Sequence, residues 1–142
     1  MYSSRRLTLE EAAALHGHLG PWLTIGYRAG ERAVEVLKPQ TEFDLRCIIK
    51  TPAKTPYTCA LDGIQASTKC TLGKLSIKLE HVEHVSQSSY LFENVKTGRK
   101  VELKLKPHVR DVVEEISSSK GMEEASKWVL QQSLDQLFEE KS

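Results

Sequence analysis

The stretch SYLFENVKTGRKVELKL, residues 89–105, decides the fold class. Two β-rich runs, 89–95 and 100–105, flank Lys96-Thr97-Gly98-Arg99. Val101, Leu103 and Leu105 alternate with charged residues, the period of a strand with one buried face. The glycine-bearing turn between the runs therefore predicts an antiparallel hairpin. Before it, 75–85 reads as a further strand. Residues 43–51, FDLRCIIKT, place Phe43, Leu45, Cys47 and Ile49 on one face of another. Helical signals surround these strands. Thr8-Leu9-Glu10-Glu11 is a capping box, so a helix is expected over 9–16, stopped by Gly17. Gly20-Pro21 opens a second helix over 22–37, ended by Lys38-Pro39. Its stripe of Gly26, Ala29, Gly30 and Ala33 lets another backbone approach closely, in the core or at a dimer contact. Thr58 is expected to cap a third helix over 59–69. Pro107 opens a fourth, with Val109, Val112, Val113 and Ile116 at helical spacing. After Gly121 a last helix is expected over 122–139, with 139–142 frayed. Helices and strands do not alternate strictly. The expected fold is one α+β domain, 1–142, with a mostly antiparallel sheet and helices packed on it. The hairpin should lie under the 21–37 and 59–69 helices.

The chain has 142 residues, with 20 Lys+Arg against 19 Asp+Glu and a net charge of +1. Both signs are interleaved and no basic stripe stands out, which argues against nucleic acid as a partner. No apolar run approaches the ~20 residues of a membrane span. The opening residues, MYSSRRLTLEE, lack a signal peptide's apolar core, so a cytoplasmic location is expected. Cys47, Cys59 and Cys70 are odd in number and widely spaced, with no CxxC pair, which suits neither a disulfide framework nor a zinc knuckle.

Two clusters can carry chemistry. In His16-Gly17-His18-Leu19-Gly20-Pro21, Gly17 breaks the helix between two histidines, so both imidazoles can turn into one cavity. The plain alternative is a helix corner with one capping and one exposed histidine. In Cys59-Ala-Leu-Asp62-Gly-Ile-Gln65, Cys59 falls in a first helical turn, where unpaired N–H groups favour the thiolate. Asp62 lies three residues on, on the same side. The plain alternative is a small core thiol and a solvated carboxylate. Cys47 reads as core, and Cys70 lies about three turns from Cys59, too far to share a ligand along one helix. His81 and His84 have opposite strand parity, and His108 reads as a surface residue. Thr71-Leu72-Gly73-Lys74 is not a P-loop. Gly63 stands at the wrong spacing before it, and Leu75 replaces the magnesium-binding Ser or Thr. Lys74 can still meet a small anion.

The compound pattern HGHLGP, CALDGIQ and TKCTLGK resembles the family of the formylmethanofuran dehydrogenase E protein. The likeness covers roughly 9–105, leaving the C-terminal helices, about 108–139, beyond it. The resemblance implies an α+β homodimer with a metal site, usually zinc, in a cleft where His16, His18, Cys59 and Asp62 meet. The family takes its name from an association with a molybdenum or tungsten enzyme. Some relatives append a cysteine-rich zinc ribbon, for which this chain has no cysteines. Some carry Cys where this chain has Gly20.

These residues support a metal-binding domain of undefined reaction, with His16, His18 and Cys59 as ligands and Asp62 as a further ligand or orienting group. Nitrogen with thiolate suits zinc, and other transition metals fit the same donors. Catalysis, if any, falls to Cys59, Asp62 and His18. The alternative is a non-enzymatic accessory or assembly component of a molybdopterin-type oxidoreductase, docking through the C-terminal helices. A metal-free Cys59–His18 nucleophile is a third reading.

Overall fold

The computed structural model describes residues 5–142; residues 1–4, the start of the segment read for an apolar leader, lie outside the described residues. α1 spans Leu9–His16 and carries the expected capping box. The Glu11 N–H donates to the Thr8 hydroxyl at 3.1 Å, and the Thr8 N–H donates to the Glu11 carboxylate at 2.9 Å. Such a cap is worth ~1 kcal/mol. Gly17 ends α1 at φ 114°, a conformation that costs glycine nothing. Pro21 opens α2 (Pro21–Leu37) at its first position. α3 spans Cys59–Thr68, but Thr58 does not cap it. Thr58 sits in the right-handed helical region at φ −68°, ψ −13°, and its side chain makes no cap bond. The preceding turn already binds this end, with the Thr58 N–H on Lys54 O and the Cys59 N–H on Pro56 O. A helical residue lacks the extended geometry that side-chain capping needs.

Five strands form one sheet in the order β2-β1-β3-β4-β5. They are β1 Leu45–Thr51, β2 Ile77–His81, β3 Ser89–Asn94, β4 Lys100–Leu105 and β5 Phe138–Lys141. The β3–β4 hairpin is antiparallel, pairing Ser89 with Lys104 and Glu93 with Lys100. β1–β3 and β4–β5 are antiparallel too, and only β1–β2 is parallel, because α3 crosses over between them. The fold is α+β. Ile25, Ala29 and Leu37 of α2 and Ile64 of α3 pack on the sheet's inner face against Ile49, Tyr90, Phe92 and Leu103.

The small-residue stripe of α2 serves this core. A Cβ at Gly26 would stand 2.0 Å from the Ala60 carbonyl oxygen of α3, and one at Gly63 would stand 2.0 Å from the Leu23 carbonyl oxygen of α2. Each helix thus lays a glycine against the other's backbone, and this contact fixes where α3 begins relative to α2.

Three expectations for the strands and last helix are corrected. β1 starts at Leu45, not Phe43, and Phe43 is 64% exposed. The Asp44 carboxylate accepts from the Gln40 and Thr41 N–H groups and from the Thr41 hydroxyl, closing a turn that holds Phe43 outward. The 75–85 strand shrinks to Ile77–His81, followed by a 3-10 turn at Val85–Gln87. The 122–139 helix ends early. After α4 (Pro107–Lys120), α5 covers only Met122–Gln131, a short α6 covers Leu134–Leu137, and 138–141 become a strand. A new capping box between Ser133 and Gln136 restarts the chain. Phe138 then buries opposite Leu105, edge-on to Tyr90 at 6.2 Å, and β5 covers the edge that β4 would otherwise leave open. One face of the C-terminal segment packs on α2, while most of its other residues are exposed or half-buried. The Thr24 and Ser126 hydroxyls meet at 2.5 Å, and Arg28 donates to Val129 O at 2.8 Å. Among the described residues no helix is long and apolar enough to cross a membrane.

The Asp44 turn carries a pH signature. The Thr41 hydroxyl and the Gln40 N–H hold its carboxyl below the usual carboxylate range. A lowered folded-state value means the carboxylate stabilises fully above the unfolded value near ~3.9 and loses that effect as the pH falls through the folded value. Asp44→Asn is expected to lower the urea midpoint at neutral pH. The gap to the parent should narrow as the pH falls through the lowered folded-state value and the parent's carboxyl becomes neutral. A gap that persists in acid refutes the assignment.

Candidate functional site

The end of α1 and the start of α2 meet the first turn of α3 around a half-open cavity of about 280 Å3. His16, His18 and Cys59 line it. Pro21, Trp22 and Pro56 give it an apolar floor, and Trp22 is held edge-on to Tyr57 at 5.1 Å. Glu114, Ser117 and Val113 of α4, with Met122 at the start of α5, close the far wall.

His16 is the most constrained polar group here. Its side chain is 11% exposed, and its Nδ1 donates to Asp62 Oδ2 at 2.6 Å. A carboxylate only accepts, so in the neutral ring Nδ1 carries the hydrogen and Nε2 keeps a lone pair. That Nε2 is buried and has no hydrogen-bond partner among the described residues. A lone pair left in this state is costly unless something fills it. The His18 ring lies 4.9 Å from that of His16, centroid to centroid, at 48°, and is exposed. The Gly17 break produces this approach, because histidines two apart on an unbroken helix would diverge.

Cys59 departs from the expectation of a stabilised thiolate. Burial first, and then the neighbouring Asp62 charge, push its thiol above the usual range. Both outweigh the backbone N–H contribution at the helix start. Asp62 makes no second strong bond, the Gln65 amide standing 3.5 Å away. Among the described residues no three of His, Cys, Asp or Glu are clustered closely enough, as placed, to hold a metal ion.

The other candidates lie elsewhere. Lys74 does not line the cavity; it donates to the Thr71 hydroxyl at 3.0 Å within its own turn, beyond the far end of α3. Cys47 and Cys70 are buried within hydrogen-bonding reach of each other, and Cys70 donates to Leu45 O. His81 accepts from the Ala53 N–H and pairs with Glu83, His84 is exposed, and His108 sets its ring against Trp128. The α4 residues and Met122 carry no signal in the sequence. They reach the cavity only because the chain returns across α2 about a hundred residues later.

A family model described as FmdE, molybdenum formylmethanofuran dehydrogenase operon, matches residues 15–141. The chain belongs to the FmdE family. No curated protein matches it. The FmdE match begins one residue before His16 and runs into β5, so it takes in every wall of the cavity. That span is wider than the 9–105 on which the motifs lie, and it places the C-terminal helices within the FmdE unit.

Proposed function

We propose that this FmdE chain is a metal-binding domain in which His16, His18 and Cys59 hold a transition metal, zinc by their donor chemistry, and Asp62 orients His16. The observation that carries the reading is the buried, partnerless Nε2 of His16. A histidine tied to a carboxylate through one nitrogen, with the other free in a cavity, has the arrangement that outer carboxylates give to metal-bound imidazoles. A neutral imidazole and a thiol that loses its proton on binding suit zinc. His18 and Cys59 must turn toward His16 to complete the set, and the open side of the cavity gives them room. When bound, such a metal supplies Lewis-acid chemistry to water or a polar ligand in the pocket. Trp22, Pro56 and Val113 exclude solvent from the apolar part of any ligand, and Ser117 and Glu114 offer it polar contacts.

Zinc titration of the metal-free protein tests this. We expect about one equivalent bound, and a drop of roughly tenfold or more (~1.4 kcal/mol) for His18→Ala and for Cys59→Ser. Variants that bind as the parent does refute the assignment.

The family's description, which names the operon of a molybdenum formylmethanofuran dehydrogenase, supports an accessory role beside such an oxidoreductase. A homodimer is the further part of the proposal. The outer sheet face sets Ile48 and Leu91, beside the 83%-exposed Leu75 of the turn before β2, among Arg46, Glu93, Lys78 and Lys100, and such mixed charge can complement itself about a two-fold axis. Light scattering at tens of micromolar is expected to give the dimer mass, and a monomer mass refutes it.

A further inference from the structure

We infer that Cys47 and Cys70 are a redox modification site, a thiol pair that a peroxide converts reversibly to a disulfide tying the end of α3 to β1. Both side chains are 1% exposed, and neither lines the His16 cavity. The two thiols lie within hydrogen-bonding reach of each other. The backbone brings them together. Cys47 stands on the inner face of β1, in the row of Leu45 and Ile49. Cys70 follows Lys69, whose left-handed φ of 66° ends α3. There the Cys70 thiol donates to Leu45 O of β1 at 3.4 Å, and its N–H donates to the Thr68 hydroxyl at 3.0 Å. Six residues on, Ser76 O accepts from the Cys47 N–H at 2.8 Å. The segment from Cys70 to Ser76 is thus bonded to β1 at both of its ends.

Cys70 is the better nucleophile of the two. Its hydrogen bond with Cys47, with Thr68, Ser76 and the Lys74 charge adding to it, holds its thiol below the usual range, whereas burial pushes the Cys47 thiol well above it. Cys70 also adjoins the turn 71–76, where Leu72 is 71% exposed. Local opening of such a turn costs little and admits a molecule as small as hydrogen peroxide. The Cys70 sulfur attacks one peroxide oxygen. The O–O bond breaks, and the other oxygen leaves as water with the Cys70 proton. Cys47 then attacks the sulfur of the sulfenic acid so formed. The S–S bond forms, the S–O bond breaks, and that oxygen leaves as water with the Cys47 proton. Two thiols are oxidised and one peroxide is reduced to two waters. A dithiol reductant opens the bond again. Cys59, at the other end of α3, stays a thiol throughout. A bond formed within the native fold constrains the unfolded chain, so the oxidised form is the more stable.

The test treats the full folded chain with hydrogen peroxide, alkylates the remaining thiols after denaturation and maps the tryptic peptides by mass. Trypsin separates the three cysteines onto residues 47–50, 55–69 and 70–74. We expect 47–50 joined to 70–74, with Cys59 alkylated on its own peptide, and both free peptides restored by dithiothreitol. The oxidised chain should unfold at a urea midpoint about 1 M above that of the reduced chain. Cys47→Ala should show no such shift between treated and untreated samples; the peptide map of the parent stands even where that variant fails to fold. The absence of a joined peptide overturns the inference. So does a bond that involves Cys59, a joined peptide that forms only when the chain is treated in urea, or an oxidised chain that unfolds no later than the reduced one.

Discussion

Gly26→Ala is expected to destabilise the protein by about 3 kcal/mol, at the upper end of what overpacking a core costs. The added methyl would sit 2.0 Å from the Ala60 carbonyl oxygen and within 2.8 Å of that residue's carbonyl carbon and Cα. All three are backbone atoms, so no rotamer change relieves the clash and α3 must move away from α2. Gly30→Ala is the control on the same stripe. Its methyl would also meet an atom at 2.0 Å, but that atom is the Ser67 hydroxyl, which can rotate away at the expense of its bond to Gly63 O. Urea unfolding should show the Gly26 variant losing at least twice what the Gly30 variant loses, with little change in slope. Equal losses, or a Gly26→Ala loss under about 1 kcal/mol, contradict the close packing. The consequence reaches the cavity, because Ala60 adjoins Cys59 and any retreat of α3 carries that thiol away from His16.

His16→Ala is expected to lower zinc affinity about a hundredfold or more, ~2.7 kcal/mol. It removes a nitrogen that is already buried, oriented and, among the described residues, without a partner. Asp62→Asn should cost less, in the range of ten- to a hundredfold typical of carboxylates that hold a metal-bound imidazole. An amide can still accept from Nδ1, but it has no charge with which to strengthen the ring's donation to a metal. The order of the two losses is the decisive reading. If Asp62→Asn binds more weakly than His16→Ala, Asp62 is itself a ligand and the orienting role is wrong. If His16→Ala binds zinc as the parent does, the metal centre is not in this cavity.

Much of the framework was legible in local chemistry. The Thr8–Glu11 box, the Gly17 stop, the Pro21 start and the β3–β4 turn depend on residues within a few positions of one another. Their geometry is dictated by caps, φ preferences and two-residue periodicity, which a sequence displays directly. The same locality made His16 and His18 visible as a pair, because the glycine that bends the chain stands between them. Local patterns misled where they competed with a distant partner. Leu134, Leu137 and Phe138 have helical spacing, yet Phe138 finds Leu105 and Tyr90, and pairing with the open edge of β4 turns 138–141 into strand. The helix-start argument for a Cys59 thiolate likewise gave way to burial and the Asp62 charge.

The sequence by itself therefore determined the α+β class, the ends of the first two helices, the hairpin and the residue types able to bind metal. Only the tertiary structure decided that the small residues of α2 face α3 rather than another chain, and that Asp62 grips His16 through Nδ1. It also brought α4 and Met122 round to wall the cavity. The physical reason is range. Caps, turns and periodicity are interactions between near neighbours, whereas the cavity is enclosed by segments that meet only after α2, α3 and the sheet have packed.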